Sequence, residues 1–177
     1  MTSWEKMLRI VLSVLFVAVA ALLSRMFTDI TSDWYQGLTL PALQPPPIAF
    51  SIAWGVIYLL FAVSLSLVSV KSYAPSSPPS GGNPAPKRFS PFRNLKNKST
   101  LMLYIGIGVL NVLWSYTFFV LENPAGALFV LIITIITAAL LIADAFKLNK
   151  AAGYLLIPYL IWLCFALYLN YEIAFLN

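Results

Sequence analysis

The chain has 177 residues, of which 60% are hydrophobic and only 10% are charged, a composition too apolar for an ordinary soluble domain. It contains one cysteine, Cys164, and no histidine, so zinc sites of the Cys/His type and histidine-based catalytic triads are excluded. No metal site is expected. The net charge of +5 reflects the concentration of basic residues on one side of the membrane, which is described below. No nucleic-acid partner is expected.

Five apolar runs are long enough to cross a bilayer, which takes about 20 residues each. They predict an all-α membrane protein, a five-transmembrane-helix bundle that forms a single domain over residues 1–177. The predicted helices cover residues 7–27, 48–70, 101–121, 125–146 and 153–175. Ala18-Val19-Ala20 in the first run is typical of a signal-peptide cleavage site, but the apolar stretch continues to Phe27, which favours a retained helix.

When the five spans are drawn crossing the membrane in alternate directions, the basic residues fall almost entirely on one side of it. Ten of the eleven lysines and arginines then lie with the N-terminus, the second loop and the fourth loop, and only Arg25 lies on the other side. The positive-inside rule predicts a cytoplasmic N-terminus and second loop and an exoplasmic C-terminus. The sequence leaves open which membrane holds the protein.

The first loop contains the sequence DWYQGLTLPALQPPPIAF, residues 33–50. Its prolines restrict the backbone, and Trp34 and Tyr35 offer apolar surface with polar tips. We interpret this loop as a stiff lid over a site, because a stiff lid loses less entropy when it closes on a ligand.

The second loop, residues 71–100, is rich in proline, serine, glycine and asparagine, and it is expected to be mobile. Its basic half, from Lys87 to Lys98, suits contact with anionic lipid headgroups, although a solvated linker that fixes orientation is the favoured interpretation. Further on, Asn123-Pro124 is a typical helix start, so the third and fourth helices are expected to pack as antiparallel neighbours.

Three helices each carry an aromatic face, because the residues concerned recur every three or four positions. The faces comprise Phe50, Trp54 and Tyr58 on the second helix; Asn111, Trp114, Ser115 and Phe118 on the third; and Tyr159, Trp162, Phe165 and Ala166 on the fifth. Apolar walls with a few polar anchors suit a flat hydrophobic ligand. Plain packing, with asparagine and serine joining the helices, is the alternative, and composition alone does not separate the two.

The segments WYQGLTLPALQPPPIAFSIAWGVIYLL, LNVLWSYTFF and LLIPYLIWLCFALYLNYEIAFLN resemble three motifs of the tryptophan-rich sensory protein and translocator protein family, TspO/MBR. The resemblance implies a five-helix bundle, often dimeric, that binds porphyrins and, in animal members, cholesterol. It matches Trp54 and Trp162 to pocket tryptophans implicated in porphyrin breakdown. It also matches Asn111 and Ser115 to polar pocket positions, Trp34, Pro45 and Pro46 to the lid loop, and Ala166 to a small residue on the sterol-facing surface.

The sequence departs from the family pattern at two positions in the first loop and at the sterol motif. Leu40 stands where the family usually has lysine, and Leu43 stands where it usually has tryptophan. No basic residue follows Tyr168 or Tyr171, which argues against sterol binding through the family's sterol consensus.

The leading functional hypothesis is a membrane receptor or sensor that binds porphyrins, protoporphyrin or haem, as non-covalent ligands under the first loop. The alternatives are an enzyme that degrades porphyrin with light and oxygen, with Trp54 and Trp162 as catalytic residues, and a transporter of porphyrin or lipid. Membrane lipid and a second copy of the chain are the other expected partners. The expected ligand-binding residues are Trp34, Tyr35, Pro45, Pro46, Trp54, Tyr58, Asn111, Trp114, Ser115, Phe118, Tyr159, Trp162, Phe165 and Ala166.

Overall fold

The computed structural model describes residues 3–71 and 98–177, and within them it contains six α-helices. Five are long and apolar enough to cross a membrane, which confirms the predicted all-α membrane fold. The helices are α1 (Ser3–Phe27), α2 (Asp33–Gln36), α3 (Pro47–Lys71), α4 (Lys98–Ser115), α5 (Pro124–Leu148) and α6 (Lys150–Leu176). The short α2 lies in the first loop, and most of the second loop, residues 72–97, lies outside the described residues.

The five spans form a ring in which α1 packs against α3, α3 against α6, α6 against α5, α5 against α4, and α4 against α1. Large side chains such as Leu22, Phe129 and Ile161 are exposed on the outside of this ring. An apolar outer surface is what lipid tails require of a spanning bundle. All five spans contribute buried side chains to the interior, and the three aromatic faces belong to α3, α4 and α6.

The third span ends in a π-helical segment, Tyr116–Val120, that continues α4 directly. A π-helix makes a wider turn than an α-helix and appears often at functional sites. Here it brings Phe118 and Phe119 together under Trp114, with ring centroids 5.6 and 6.2 Å from the Trp114 ring. An α-helical period predicts the first of these contacts and misses the second.

The turn between the third and fourth spans has the predicted helix start. Asn123 Oδ1 accepts a hydrogen bond from the Gly126 backbone N–H at 2.8 Å, and Pro124 occupies the first turn of α5. Glu122 in the same turn has a φ of 49°, in the left-handed region. The turn is short enough to keep α4 and α5 side by side, as the sequence indicated.

Polar side chains hold the helices together in the half of the bundle away from the first loop. The Tyr104 hydroxyl lies 2.6 Å from Ser64 Oγ, which in turn donates to the Ala152 carbonyl oxygen at 2.8 Å. These bonds join α3, α4 and α6. Between α1 and α3, Ser13 Oγ lies 3.3 Å from Ser69 Oγ. Serine and tyrosine here act as interhelical contacts, as is common in membrane bundles.

The approach of α1 to α4 depends on Gly108. A Cβ atom added at Gly108 would lie 2.7 Å from Phe16 Cζ, whereas a Cβ at Gly106 would meet nothing within 4 Å. We expect Gly108→Val to lower the free energy of unfolding by about 1–3 kcal/mol, because the added groups force Phe16 and the helices apart. Unfolding in a denaturing detergent titration measures the effect, with Gly106→Val as the matched control. Equal losses from the two variants would contradict this packing.

Candidate functional site

The three predicted aromatic faces meet inside the bundle, beneath the first loop. The Trp54 ring on α3 stacks on Trp114 of α4, with centroids 6.5 Å apart and planes inclined by 28°. The same Trp54 ring lies 6.3 Å from Trp162 of α6, edge to face at 85°. These distances are typical of favourable aromatic pairs. Trp54 is thus the common neighbour of the other two interior tryptophans.

Other predicted residues extend this cluster along each helix. Tyr58 lies 5.5 Å from Trp54, and Phe165 lies 5.6 Å from Trp162. Phe50 bridges two helices, with its centroid 5.4 Å from Trp162 and 6.4 Å from Trp54. The rings fill the space between α3, α4 and α6 by contacting one another. A planar ligand in this space requires the rings to move apart.

A polar pair lies deeper in the bundle. The buried Tyr159 hydroxyl donates a hydrogen bond to Asn111 Oδ1 at 3.0 Å, joining α6 to α4. Phe61 of α3 packs edge to face on Tyr159, with centroids 5.7 Å apart. Sequence reasoning missed Phe61, although it continues the spacing of the second helix by three residues after Tyr58. Ser115 and Ala166 are also buried, so the structure keeps both on interior faces.

The indole N–H of Trp114 is occupied by the protein itself. It donates to Asn170 Oδ1 at 3.0 Å, and Asn170 Nδ2 donates to the Pro124 carbonyl oxygen at 2.7 Å. In this structure the Trp114 N–H is therefore not available to anchor a ligand. Asn170 was missed as well, although an amide inside a membrane span is costly and therefore signals a partner.

The indole N–H of Trp162 is in the opposite situation. Nε1 of Trp162 is buried and has no hydrogen-bond partner within residues 3–71 and 98–177. Ser24 Oγ and Gln44 Oε1 are buried and unpaired in the same sense. An unmet buried donor costs about 1–3 kcal/mol relative to a satisfied one. Trp162 therefore offers a donor, among aromatic rings, to a ligand that carries an acceptor.

The first loop packs on the end of the cluster. Trp34 lies edge to face on Phe118 at 5.6 Å, and Tyr35 lies against Phe119 at 5.5 Å. Both rings belong to α2, whose start is capped by Ser32 Oγ accepting from the Tyr35 N–H at 3.3 Å. Partial burial raises the pKa of Tyr35, so its phenol stays neutral at physiological pH. The two rings contact the end of the cluster, and a role as a lid stays a prediction.

The end of α6 holds the same loop through a second contact. The Thr39 N–H donates to Asn177 Oδ1 at 2.8 Å, and Asn177 Nδ2 donates to the Thr39 carbonyl at 3.2 Å. The predicted lid prolines lie elsewhere, just before α3. Pro45 is half-buried, while Pro46 is exposed and its carbonyl accepts from the Phe50 N–H at 3.1 Å. Their part in ligand binding stays a prediction.

Two apolar grooves open on the outside of the bundle and are separate from this cluster. One, of about 350 Å³, lies between α1 and α4 and includes Phe16 and Tyr116. The other, of about 310 Å³, lies between α5 and α6 and includes Cys164 and Tyr168. Neither groove includes a residue of the predicted ligand site. Within the described residues, no group of three or more His, Cys, Asp or Glu side chains is arranged to hold a metal ion.

Comparison with known proteins relates this arrangement to one family. The family model described as "TspO/MBR family" matches residues 12–176. The tryptophan-rich protein TspO of Archaeoglobus fulgidus is 30% identical over 96% of this chain and 97% of its own length. The tryptophan-rich sensory protein of Cereibacter sphaeroides is 30% identical over 82% of this chain and 77% of its own.

An animal protein gives a similar match. The translocator protein of Sus scrofa is 32% identical over 78% of this chain and 71% of its own length. The family model extends from within α1 to the end of α6, so it covers the membrane helices that carry the aromatic cluster. This chain is an integral membrane protein that belongs to the TspO/MBR family.

Proposed function

We propose that this protein is a membrane receptor or sensor that binds a tetrapyrrole, such as protoporphyrin or haem, in the aromatic cluster beneath the first loop. The observation that carries the proposal is the buried N–H of Trp162 beside Trp54 and Phe50, which has no hydrogen-bond partner in the part of the chain that the structure describes. Aromatic faces stack on a flat macrocycle, and an indole N–H donates to an acceptor on it. An acceptor on the ligand would supply the partner that this buried donor lacks among the described residues.

The carboxylates of a porphyrin need a polar environment, and this limits how the ligand can lie. Among the described residues, Arg9 is the one buried basic side chain, and its Nη1 lies 3.5 Å from the Ser69 carbonyl in the half of the bundle away from the first loop. The carboxylates are therefore expected to point out of the aromatic cluster, toward the water at the first-loop end of the bundle. Entry at that end requires Trp34 and Tyr35 to move off Phe118 and Phe119.

Trp162→Phe tests the proposal directly, because it removes the N–H and keeps most of the ring surface. We expect the affinity for protoporphyrin to fall about five- to tenfold, the equivalent of one hydrogen bond. The ligand-free protein should be as stable as the wild type or slightly more so, because an unmet donor is removed. Titration followed by porphyrin absorbance, with the protein in nanodiscs, measures the affinity.

The matched control is Trp4→Phe, since Trp4 is 64% exposed at the start of α1. This variant should bind protoporphyrin as the wild type does. Unchanged affinity in Trp162→Phe, together with a loss of stability, would mean that the Trp162 N–H serves packing, and the proposed ligand contact would be wrong.

An enzymatic role is the second candidate, and one observation favours it. Three tryptophan rings lie in direct succession, with Trp54 between Trp114 and Trp162. Indole can give an electron to a photoexcited macrocycle, so Trp54 and Trp162 would be the redox residues of a porphyrin-degrading reaction. A defined product that forms in light and disappears in Trp162→Phe would support this role. Bleaching equal to that of free porphyrin would reject it.

The remaining expectations stay proposals of the same kind. They are a cytoplasmic N-terminus with an exoplasmic C-terminus, a homodimer, and contact with membrane lipid. Transport of porphyrin or lipid is the third functional alternative, and sterol binding has the least support in the sequence. The topology follows from the bias of lysine and arginine to one side of the spans. Labelling of single cysteines introduced in each loop tests that topology.

A further inference from the structure

Aromatic rings form a continuous chain from the centre of the bundle to the first loop. Trp162 contacts Trp54 at 6.3 Å, and Trp54 stacks on Trp114 at 6.5 Å. Trp114 then contacts Phe118 at 5.6 Å, and Phe118 contacts Trp34 at 5.6 Å. We call these five rings the ring chain. It links a site buried among α3, α4 and α6 to a partly exposed ring on α2.

The tryptophans of the ring chain are suited to passing an electron. An indole gives up one electron without having to release a proton first, which tyrosine does not do readily. The nearly parallel planes of Trp54 and Trp114, at 28°, favour overlap between the two π systems. Phe118 is too hard to oxidise to hold a positive charge, but its ring fills the gap between Trp114 and Trp34 in place of lipid or water.

The hydrogen bonds of the ring chain determine which oxidised indole loses its proton, and so on which ring the oxidation remains. The N–H of Trp114 points to the Asn170 amide oxygen at 3.0 Å, and an amide oxygen is a very weak base. An oxidised Trp114 therefore keeps its proton and can recover an electron from the next ring. Trp34 is partly exposed in the first loop and makes no hydrogen bond through its indole within residues 3–71 and 98–177. Water can take its proton.

We propose that the ring chain carries oxidising charge from the ligand site to Trp34. The proposal requires that a bound ligand parts Trp54 from Trp162 and leaves Trp54 stacked on Trp114, and that Trp34 rests on Phe118 again once the ligand has entered. A tetrapyrrole held beside Trp54 would supply a one-electron oxidant there on excitation by light. Loss of one electron to it leaves a Trp54 radical cation. An electron moves from Trp114 to Trp54, and then one from Trp34 to Trp114, so Trp54 and Trp114 are restored. The Trp34 radical cation releases its N–H proton to water.

Dioxygen completes the balance of this sequence. The electron taken from Trp54 would pass on to dioxygen, which becomes superoxide. Superoxide, the Trp34 radical and one proton combine to a hydroperoxide on the Trp34 indole. The net change is the addition of one dioxygen to Trp34. The ring chain thus protects the interior tryptophans from oxidation, while the loop residue Trp34 is oxidised in their place.

Light-driven oxygenation, located by peptide mass spectrometry, tests the proposal in two arms. The first arm uses the full-length protein with protoporphyrin and air, and it rests on the proposed tetrapyrrole function. The second arm tethers a ruthenium polypyridyl photo-oxidant to the exposed position of Ser51→Cys, in a Cys164→Ser background, with air and an added electron acceptor that passes its electron to dioxygen. That arm needs no bound tetrapyrrole. In both, we expect Trp34 to gain oxygen well ahead of the more exposed Trp4.

Trp114→Phe should abolish most of the Trp34 oxygenation and move the damage to Trp54. Trp34→Phe, which leaves the interior bonds intact, should move the damage to Trp114 and prolong the lifetime of the indole radical in transient absorption. Tyr116→Phe is the control, because Tyr116 pairs with Phe27 at 5.3 Å and lies outside the ring chain. It should leave Trp34 oxygenation unchanged.

Two results would overturn the ring chain. One is equal oxygenation of Trp34 in wild type and Trp114→Phe with the tethered oxidant. The other is equal oxygenation of Trp4 and Trp34, which indicates a freely diffusing oxidant. If the tethered arm gives the expected pattern and the protoporphyrin arm gives none, the proposed tetrapyrrole function fails while the ring chain stands.

Discussion

Trp54→Leu is expected to weaken protoporphyrin binding about ten- to a hundredfold, a loss of about 1.4–2.8 kcal/mol. The Trp54 ring contacts Trp114 and Trp162 directly, and it also contacts Phe50 and Tyr58. Its removal takes away the one ring common to the aromatic faces of α3, α4 and α6. Titration followed by porphyrin absorbance, in nanodiscs, measures the affinity.

The control for this variant is Trp4→Leu, the same chemical change at a residue that is 64% exposed. Helical circular dichroism and gel filtration should match the wild type for both variants. If a folded Trp54→Leu protein bound protoporphyrin as tightly as Trp4→Leu does, the ligand would not lie in the aromatic cluster.

Asn170→Leu is expected to give the largest loss of stability among single changes at the site. Leucine has the same branched skeleton of side-chain heavy atoms, although it is bulkier, and it leaves the Trp114 N–H and the Pro124 carbonyl without their partner. We expect the free energy of unfolding to fall by about 2 kcal/mol, since each unmet buried group costs about 1–3 kcal/mol and the unfolded chain in a membrane finds other partners. Unfolding in a denaturing detergent titration gives the value.

The double variant Trp114→Phe with Asn170→Leu separates the hydrogen bond from packing. It removes donor and acceptor together, so part of the loss seen in Asn170→Leu should be recovered. Strictly additive losses would show that Trp114 and Asn170 do not stabilise each other, and the assignment of the Trp114 N–H to Asn170 would be wrong.

The spans and their interior faces could be predicted from the sequence because both depend on local order. A run of about 20 apolar residues is long enough for a bilayer whatever surrounds it. The spacing of Phe50, Trp54 and Tyr58 keeps them on one face of a helix for reasons of backbone geometry. The same reasoning could have found Phe61, which continues that spacing, and Asn170, an amide within an apolar run.

Features that depend on a second segment could not be predicted in this way. The π-helical segment Tyr116–Val120 moves Phe119 to the side of Trp114, against an α-helical period. Thr39 and Asn177 pair across 138 residues of chain. No local pattern marks such a pair, because either residue alone is an ordinary polar residue near a helix end.

The sequence by itself therefore determined that this protein has five membrane spans, with aromatic faces on the second, third and fifth. Only the tertiary structure decided that Trp54 lies between Trp114 and Trp162, and that the Trp114 N–H is bonded while the Trp162 N–H has no partner among the described residues. The reason is the short range of these interactions. A hydrogen bond requires its atoms within about 3 Å of each other, and only the packing of whole helices sets distances that finely.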